Sequence, residues 1–210
     1  MLPQPSELLS DRSGVPPKPL LGRMTGGASR HLVPDMSLPH GSARTTRLVA
    51  VAYADVVGFS RMMCDDEEGT IARWLAVRRN VLKPLVGVNS GWVVNAIGDS
   101  FLVEFCDVAD AVAWARQVQR TLCDLEAGTG GGPAFKLRIA VHFCEVIAMH
   151  TDIFGVGVNI VARLQTYAPP GGVIISGAAY HHLGGTEVEV KALGPLPLRN
   201  IAEPVHAYLL

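Results

Sequence analysis

The chain has 210 residues, 49% hydrophobic and 18% charged, the proportions of one ordinary globular domain with a segment to spare. Lys and Arg total 18 against 19 Asp and Glu, so a net charge of -1 gives no reason to expect nucleic acid or an anionic membrane as principal partner. The longest apolar stretches are one strand long, well short of the roughly 20 residues that span a bilayer, no basic segment followed by an apolar run marks a secretory signal, and four cysteines without CxxC spacing are expected to be reduced structural thiols of a cytoplasmic protein.

Residues 1–44 hold Pro16-Pro17, Pro19, Gly26-Gly27 and many Ser and Thr, a composition that cannot bury enough apolar surface to offset the entropy of ordering it. They are expected to form a flexible tail or linker, with the folded domain over residues 45–210. Leu48 to Ala54 is a continuous β-prone run suited to a buried central strand. Asp65-Asp66-Glu67-Glu68 then opens a helix, because acidic residues cap free backbone N–H groups, and Ile71, Trp74, Leu75, Leu82 and Leu85 follow at helical spacing. Residues 92–97 and 101–105 predict two strands joined by a tight Gly98-Asp99 turn. A second helix starts near Asp107, carries Val108, Ala111, Val112, Ala115, Val118 and Leu122 on one face, and stops before the glycine-rich loop at 128–133. Leu137, Ile139, Val141 and Phe143 alternate with Arg138, Ala140 and His142 as in a strand buried mainly on one side. A third helix spans Gly157 to Ala168, and the strands Val173–Ile175 and Val205–Leu209 flank a short helix at 177–183 ending near His181-His182. The order predicts an α+β fold, a ferredoxin-like βαββαβ core with a C-terminal extension.

Two features of this pattern carry chemistry. Asp55 and Asp99 each end an apolar run, and carboxylates so placed can jointly hold divalent metal on a phosphate substrate; Asp is also a common helix cap and hairpin-turn residue. Asn159 and Arg163, four apart, share one face of the third helix, with Val158, Val161 and Ala162 on its core side.

Asp55-Val56-Val57-Gly58-Phe59, Ile97-Gly98-Asp99 and the block Asp152 to Arg163 resemble the motifs of the class III nucleotidyl cyclase catalytic domain, and the likeness covers roughly residues 46–209. The resemblance implies an adenylate cyclase that converts ATP to 3′,5′-cyclic AMP and pyrophosphate. It implies two divalent ions per site, Mg²⁺ or Mn²⁺, held by Asp55, Asp99 and the Val56 carbonyl. By the same likeness Asn159 orients the ribose, Arg163 stabilises charge on the reacting phosphate, and Asp152 accepts from the adenine amino group. Arg199, in Leu198-Arg199-Asn200-Ile201, stands where the family often has a Lys on the terminal phosphates. Asn95 replaces a Lys that usually accompanies Asp152, which keeps guanosine and pyrimidine triphosphates open as substrates. Ala140 and Cys144 take positions where the family has glycines; Cys144 is expected to crowd the backbone there, which leaves a weakly active nucleotide-binding module as the alternative to an enzyme. His142 and His150 are expected to be hydrogen-bonded rather than catalytic. The implied assembly is a head-to-tail homodimer with two shared sites and no nucleic acid or membrane span.

Overall fold

In the computed structural model, which describes residues 45–128, 135–184 and 188–210, the first apolar run becomes β1 (Thr45–Val56), a 12-residue strand paired along both edges. The expected tail at 1–44 and most of the glycine-rich loop lie outside the described residues. Gly58, at φ 71°, makes the left-handed turn into α1 (Phe59–Asp65), a conformation cheap only for glycine. Asp66 caps α2 (Glu67–Val77) by accepting from the Gly69 amide at 2.9 Å. A π-helical turn (Arg78–Leu82) leads into α3 (Lys83–Val88). There follow β2 (Gly91–Asn95), β3 (Phe101–Phe105), α4 (Val108–Gly128), β4 (Leu137–Met149), β5 (Asp152–Phe154), α5 (Val156–Leu164), a 3₁₀ turn (Gln165–Tyr167), β6 (Val173–Ser176), α6 (Gly177–His182), β7 (Lys191–Leu196) and β8 (Val205–Leu209).

The sheet runs β2-β3-β1-β4-β6-β8-β7. Its first four strands, all antiparallel neighbours, have the order of the expected ferredoxin-like core. The extension begins with β5, which folds back on the end of β4; α5 then carries the chain over to β6, parallel to β4, and β8 and β7 complete the sheet. One face, with Ala50, Ala52, Ala54, Val103, Ile139 and Val141, packs against the helices α2 to α4 and α6. At its centre Trp114 has no exposed surface and lies against Phe101 and Phe105, ring centroids 6.3 and 5.8 Å away. The other face, with Val49, Val51, Leu102, Ala140 and Ile174, is covered by Val161 and Leu164 of α5. Trp92, on that second face through its pairing with Glu104, stays 66% exposed.

The structure departs from the periodicity in four places. Helical spacing turns Ile71 and Leu75 inward, yet both are exposed; Trp74 and Leu82 are buried as expected, and Thr70, Val81 and Val86 are buried with them. The π turn inserts a residue and rotates the face that follows it, while the Thr70 hydroxyl finds a buried partner in the Met62 carbonyl at 3.1 Å. The hairpin is not a two-residue turn: β2 ends at Asn95, and Ala96 to Ser100 connect it to β3. β7, an exposed strand containing Pro195, lies at the sheet edge where proline is tolerated and leaves no apolar run to detect. Finally, all four cysteines are free thiols, but Cys64, Cys106 and Cys123 are exposed rather than part of the core.

Cys144 does not crowd the backbone, because the residue above it is a glycine. A Cβ on Gly157 would stand 2.2 Å from the Cys144 sulfur and 2.4 Å from its Cβ. The thiol therefore fills the space that a side chain at 157 would need. Gly157→Ala is expected to destabilise the protein by about 1–3 kcal/mol through overpacking. Combining it with Cys144→Gly should recover about 1 kcal/mol or more relative to the sum of the single changes, measured by chemical denaturation in a double-mutant cycle. Simple additivity would show that the two residues do not share this space.

Candidate active site

The carboxylate half of the site is set by strand register. Asp55 follows Val49, Val51 and Tyr53 in alternation, so it belongs to the face that α5 covers. Ala54 pairs with Phe101, which brings the hairpin carrying Asp99 alongside the end of β1. The two carboxylates interact: the Asp55 carboxyl is pushed up from its ordinary 3.8 to about 6, first by desolvation and then by the charge of Asp99, with Arg138 opposing. Arg138 is the cross-strand partner of Asp55 on β4, and its buried Nε has no hydrogen-bond partner. Nothing in the alternation of β4 singles this arginine out; only the pairing of two strands distant in sequence does.

This pair fits a hard divalent cation. Two carboxylates facing each other at a cost are relieved by positive charge between them, and oxygen donors suit Mg²⁺ or Mn²⁺. The Val56 side chain is in the core, so any donor it offered an ion would have to be its backbone carbonyl. Among the described residues there is no cluster of three or more His, Cys, Asp or Glu able to hold a metal; an ion held by this pair would complete its coordination sphere with water and phosphate oxygens, as Mg²⁺ commonly does.

The other polar residues singled out in the sequence lie elsewhere. Asn159 and Arg163 are on α5, where Arg163 Nη1 donates to the Asn159 carbonyl at 2.9 Å. Arg163 and Arg199 line one open cavity of about 430 Å³ with Thr166, Tyr167 and Asn200. The Tyr167 hydroxyl donates to the Pro197 carbonyl at 2.5 Å, joining the end of the α5 segment to the loop that carries Arg199. Asp152 lines a different cavity, about 540 Å³, with Trp92, Val94, Glu104 and His150. One oxygen of Asp152 accepts from the Ile153 amide at 2.9 Å.

Asn95 reaches the same side of the sheet through a feature that alternation hides. Val93 pairs with Val103, but the register slips and Asn95 pairs with Leu102, a residue of the α5-covered face. The bulge at Val94 thus turns Asn95 away from the helix-packed core, and Val94 itself borders the Asp152 cavity. Arg47 and Glu104 are a pair that sequence reading missed. Arg47 donates through Nε and Nη2 to the two Glu104 oxygens at 2.9 Å each, and both residues line the Asp152 cavity. They are 57 positions apart, so again only the fold joins them.

His142 is 8% exposed, its Nδ1 is 2.7 Å from the Ser176 hydroxyl, and burial lowers its pKa to about 4. It is a hydrogen-bonded structural residue, as expected. His150 lines the Asp152 cavity. Neither of the two cavities is lined by Asp55 or Asp99.

Comparison with known proteins identifies a family and a fold. The family model for the adenylate and guanylate cyclase catalytic domain matches residues 42–210. A Rhizobium meliloti (strain 1021) protein that bears an adenylate cyclase name is 36% identical over 163 residues, which is 77% of this chain and 28% of that protein. The chain spans about a quarter to a third of the length of the first curated relatives it matches. Among solved structures, an adenylate/guanylate cyclase/hydrolase from Silicibacter pomeroyi superposes with a TM-score of 0.73 at 26% identity, over 79% of this chain and 96% of that one. The adenylyl cyclase CyaB from P. aeruginosa shares the fold, with a TM-score of 0.72 at 17% identity over 80% and 95% of the two chains. No helix among the described residues is long and apolar enough to cross a membrane.

The raised Asp55 pKa has a thermodynamic signature. Below pH 3.8 the folded and unfolded chains both hold this proton; between 3.8 and about 6 only the folded chain does, so the stability contributed by Asp55 falls as pH rises through that window. For a half-buried carboxylate screened by solvent the loss is about 1 kcal/mol, or ~2–4 °C in melting temperature. Metal-free Asp55→Asn should therefore melt higher than wild type by that amount at pH 7, with the gap closing near pH 4. Mg²⁺ should raise the melting temperature of wild type and not of the variant. A variant that melts lower than wild type at pH 7 without metal would show that the folded chain does not disfavour the Asp55 carboxylate.

Proposed function

The chain belongs to the adenylate and guanylate cyclase catalytic domain family, and from that premise we propose that it is an adenylate cyclase. The reaction joins the ribose 3′-oxygen of ATP to the α-phosphorus and releases pyrophosphate, giving 3′,5′-cyclic AMP. The observation that carries the proposal is the Asp55 and Asp99 pair, whose mutual repulsion favours a cation. Held by those carboxylates and the Val56 carbonyl, two Mg²⁺ or Mn²⁺ ions would supply Lewis acidity to the attacking hydroxyl and charge neutralisation to the triphosphate.

Side chains supply the remainder. Arg163 has one terminal nitrogen tied to its own helix, so its other N–H groups are oriented before substrate arrives. Donors fixed in advance stabilise the charge that grows on the α-phosphate, which raises rate and not merely binding. Arg199, across the same cavity, takes the terminal phosphates. The Asn159 amide orients the ribose. Asp152 keeps one oxygen on the Ile153 amide and offers the other to the adenine amino group; toward guanine it would face another acceptor, the carbonyl oxygen. Asn95 can donate or accept, so ATP preference rests mainly on Asp152.

One chain holds these groups in separate places, and the complete site is read as shared. In a head-to-tail homodimer, Asp55 and Asp99 of one copy face Asn95, Asp152, Asn159, Arg163 and Arg199 of the other, and two-fold symmetry gives two equal sites. Trp92, Phe154 and Val156, 49–66% exposed, provide apolar surface for that contact. Residues 45–210 form the catalytic domain and residues 1–44 a tail or linker, in a protein acting in the cytoplasm.

Purified protein should release pyrophosphate and cyclic nucleotide faster from ATP than from GTP, CTP or UTP at matched Mg²⁺ or Mn²⁺. Faster turnover of another nucleotide would overturn the ATP assignment, and none with any nucleotide would overturn the enzyme. Shared sites make a further prediction. Asp55→Ala and Arg163→Ala homodimers should each be inactive, while their mixture regains turnover, since one of the two sites in the heterodimer has every native residue. An inactive mixture after demonstrated subunit exchange would rule the shared site out.

A further inference from the structure

Two side chains of the α2 segment hold the hairpin that carries Asp99. The Trp74 indole N–H donates to the Gly98 carbonyl at 2.8 Å, and Arg78 Nη2 donates to the Ala96 carbonyl at 3.2 Å. The two residues are four apart, so both reach the hairpin from one helix face. Between them the Ile97 carbonyl accepts from the Ser100 amide at 3.0 Å and the Ser100 hydroxyl at 2.8 Å. Three successive carbonyls before Asp99 are therefore all engaged, two of them by α2 and its continuation. Gly98 is at φ 57°, and β2 has already ended, so no strand pairing fixes this stretch.

Trp74 also touches the segment that follows Asp55. Only 2% exposed, it packs edge-on against Phe59, the first residue of α1, with ring centroids 6.3 Å apart, and against Phe135 at 5.6 Å. Phe59 is four residues after Asp55. A single buried ring thus contacts both chain segments that bear the carboxylates. Arg78 opens the π-helical turn, a local irregularity often found where a helix serves a site.

We propose that Trp74 and Arg78 are positioning residues that set the spacing of Asp55 and Asp99, Trp74 by bridging Phe59 to the Gly98 carbonyl and Arg78 by fixing the Ala96 carbonyl. This rests on the cyclase assignment only for the use made of the spacing; the clamp itself exists without metal. Neither residue touches substrate. Their removal loosens the hairpin, so the carboxylate pair binds a cation less tightly while the arginines of the substrate half are untouched.

The test uses Trp74→Phe, which keeps the ring against Phe59 and Phe135 and loses the donor, and Arg78→Met, which keeps the stem; Arg78→Lys restores a donor. In metal-free protein, hydrogen exchange at the Ser100 amide should speed up at least 10-fold in Trp74→Phe and Arg78→Met, with β1 amides unchanged. Mn²⁺ affinity, titrated by electron paramagnetic resonance, should weaken about 10-fold in both and return toward wild type in Arg78→Lys. If the protein is a cyclase, the metal requirement rises while the KM for nucleotide stays within about twofold, and excess Mn²⁺ restores turnover. Unchanged Ser100 exchange in both Trp74→Phe and Arg78→Met, or unchanged Mn²⁺ affinity despite faster exchange, overturns the proposal. Wild-type protein that turns over no nucleotide, together with faster Ser100 exchange and weaker Mn²⁺ binding in the variants, would sink the cyclase assignment and leave the clamp standing.

Discussion

β1 is hydrogen-bonded to β4 along its whole length and to β3 over its second half, and this double pairing fixes where the site can be. A strand bonded on both edges cannot slide without breaking both ladders, and a slip of one residue would exchange its two faces. Asp55 is therefore held on the α5 side, opposite Arg138, as firmly as the alanines beside it are held in the core. The same pairing aligns Phe101 with Ala54 and so delivers the hairpin to the end of β1. β4, bound to β1 throughout, carries on past it into β5 and supplies Asp152. α5 in turn packs on β4 and β1, and its two polar residues take their place from that seat.

Much of this was legible in the residues. The βαββαβ order, the buried first strand, the long α4 with its apolar face, and the positions of Asp55, Asp99, Asn159 and Arg163 on strand end, hairpin and helix all follow from periodicity and local turn chemistry. What escaped was whatever depends on a break in a period or on two distant segments meeting. The bulge that turns Asn95 to the α5 side is one extra residue in a five-residue strand, too small a signal for alternation to register. The π turn has the same character in a helix: residues on either side are each at good helical spacing, but the faces do not line up. Arg138 beside Asp55 and Arg47 on Glu104 are pairings across the sheet, and no local pattern encodes register between strands so far apart.

The electrostatics of the carboxylate half run against stability in the absence of a cation. Asp55 loses solvation at the end of a buried strand and faces Asp99, with Arg138 giving only partial relief. Such a cost is tolerable because it is small beside the burial of Trp114, Phe101, Phe105 and the two clusters that flank the sheet. It is also the usual form of a functional site, in which local stability is given up for affinity toward something absent from the folded chain alone. The helix-packed face is almost wholly apolar, so this local penalty does not spread.

The α5 side, which carries Asn159 and Arg163, is built on the opposite principle. The floor beneath the start of α5 consists of His142 and Cys144, and both are held uncharged: burial lowers the imidazole to about 4 and raises the thiol to about 11. His142 is bonded to the Ser176 hydroxyl, which also accepts from the Ala179 amide to cap α6. A neutral floor exerts little field on the helix above it, and Gly157 lets that helix lie directly on the thiol. Asn159 and Arg163 consequently stand above a floor that carries no charge. Arg163 and Arg199 bring positive charge to the cavity they line together. What α5 requires of the strand beneath it is close contact without charge, and the Cys144 thiol against Gly157 supplies both.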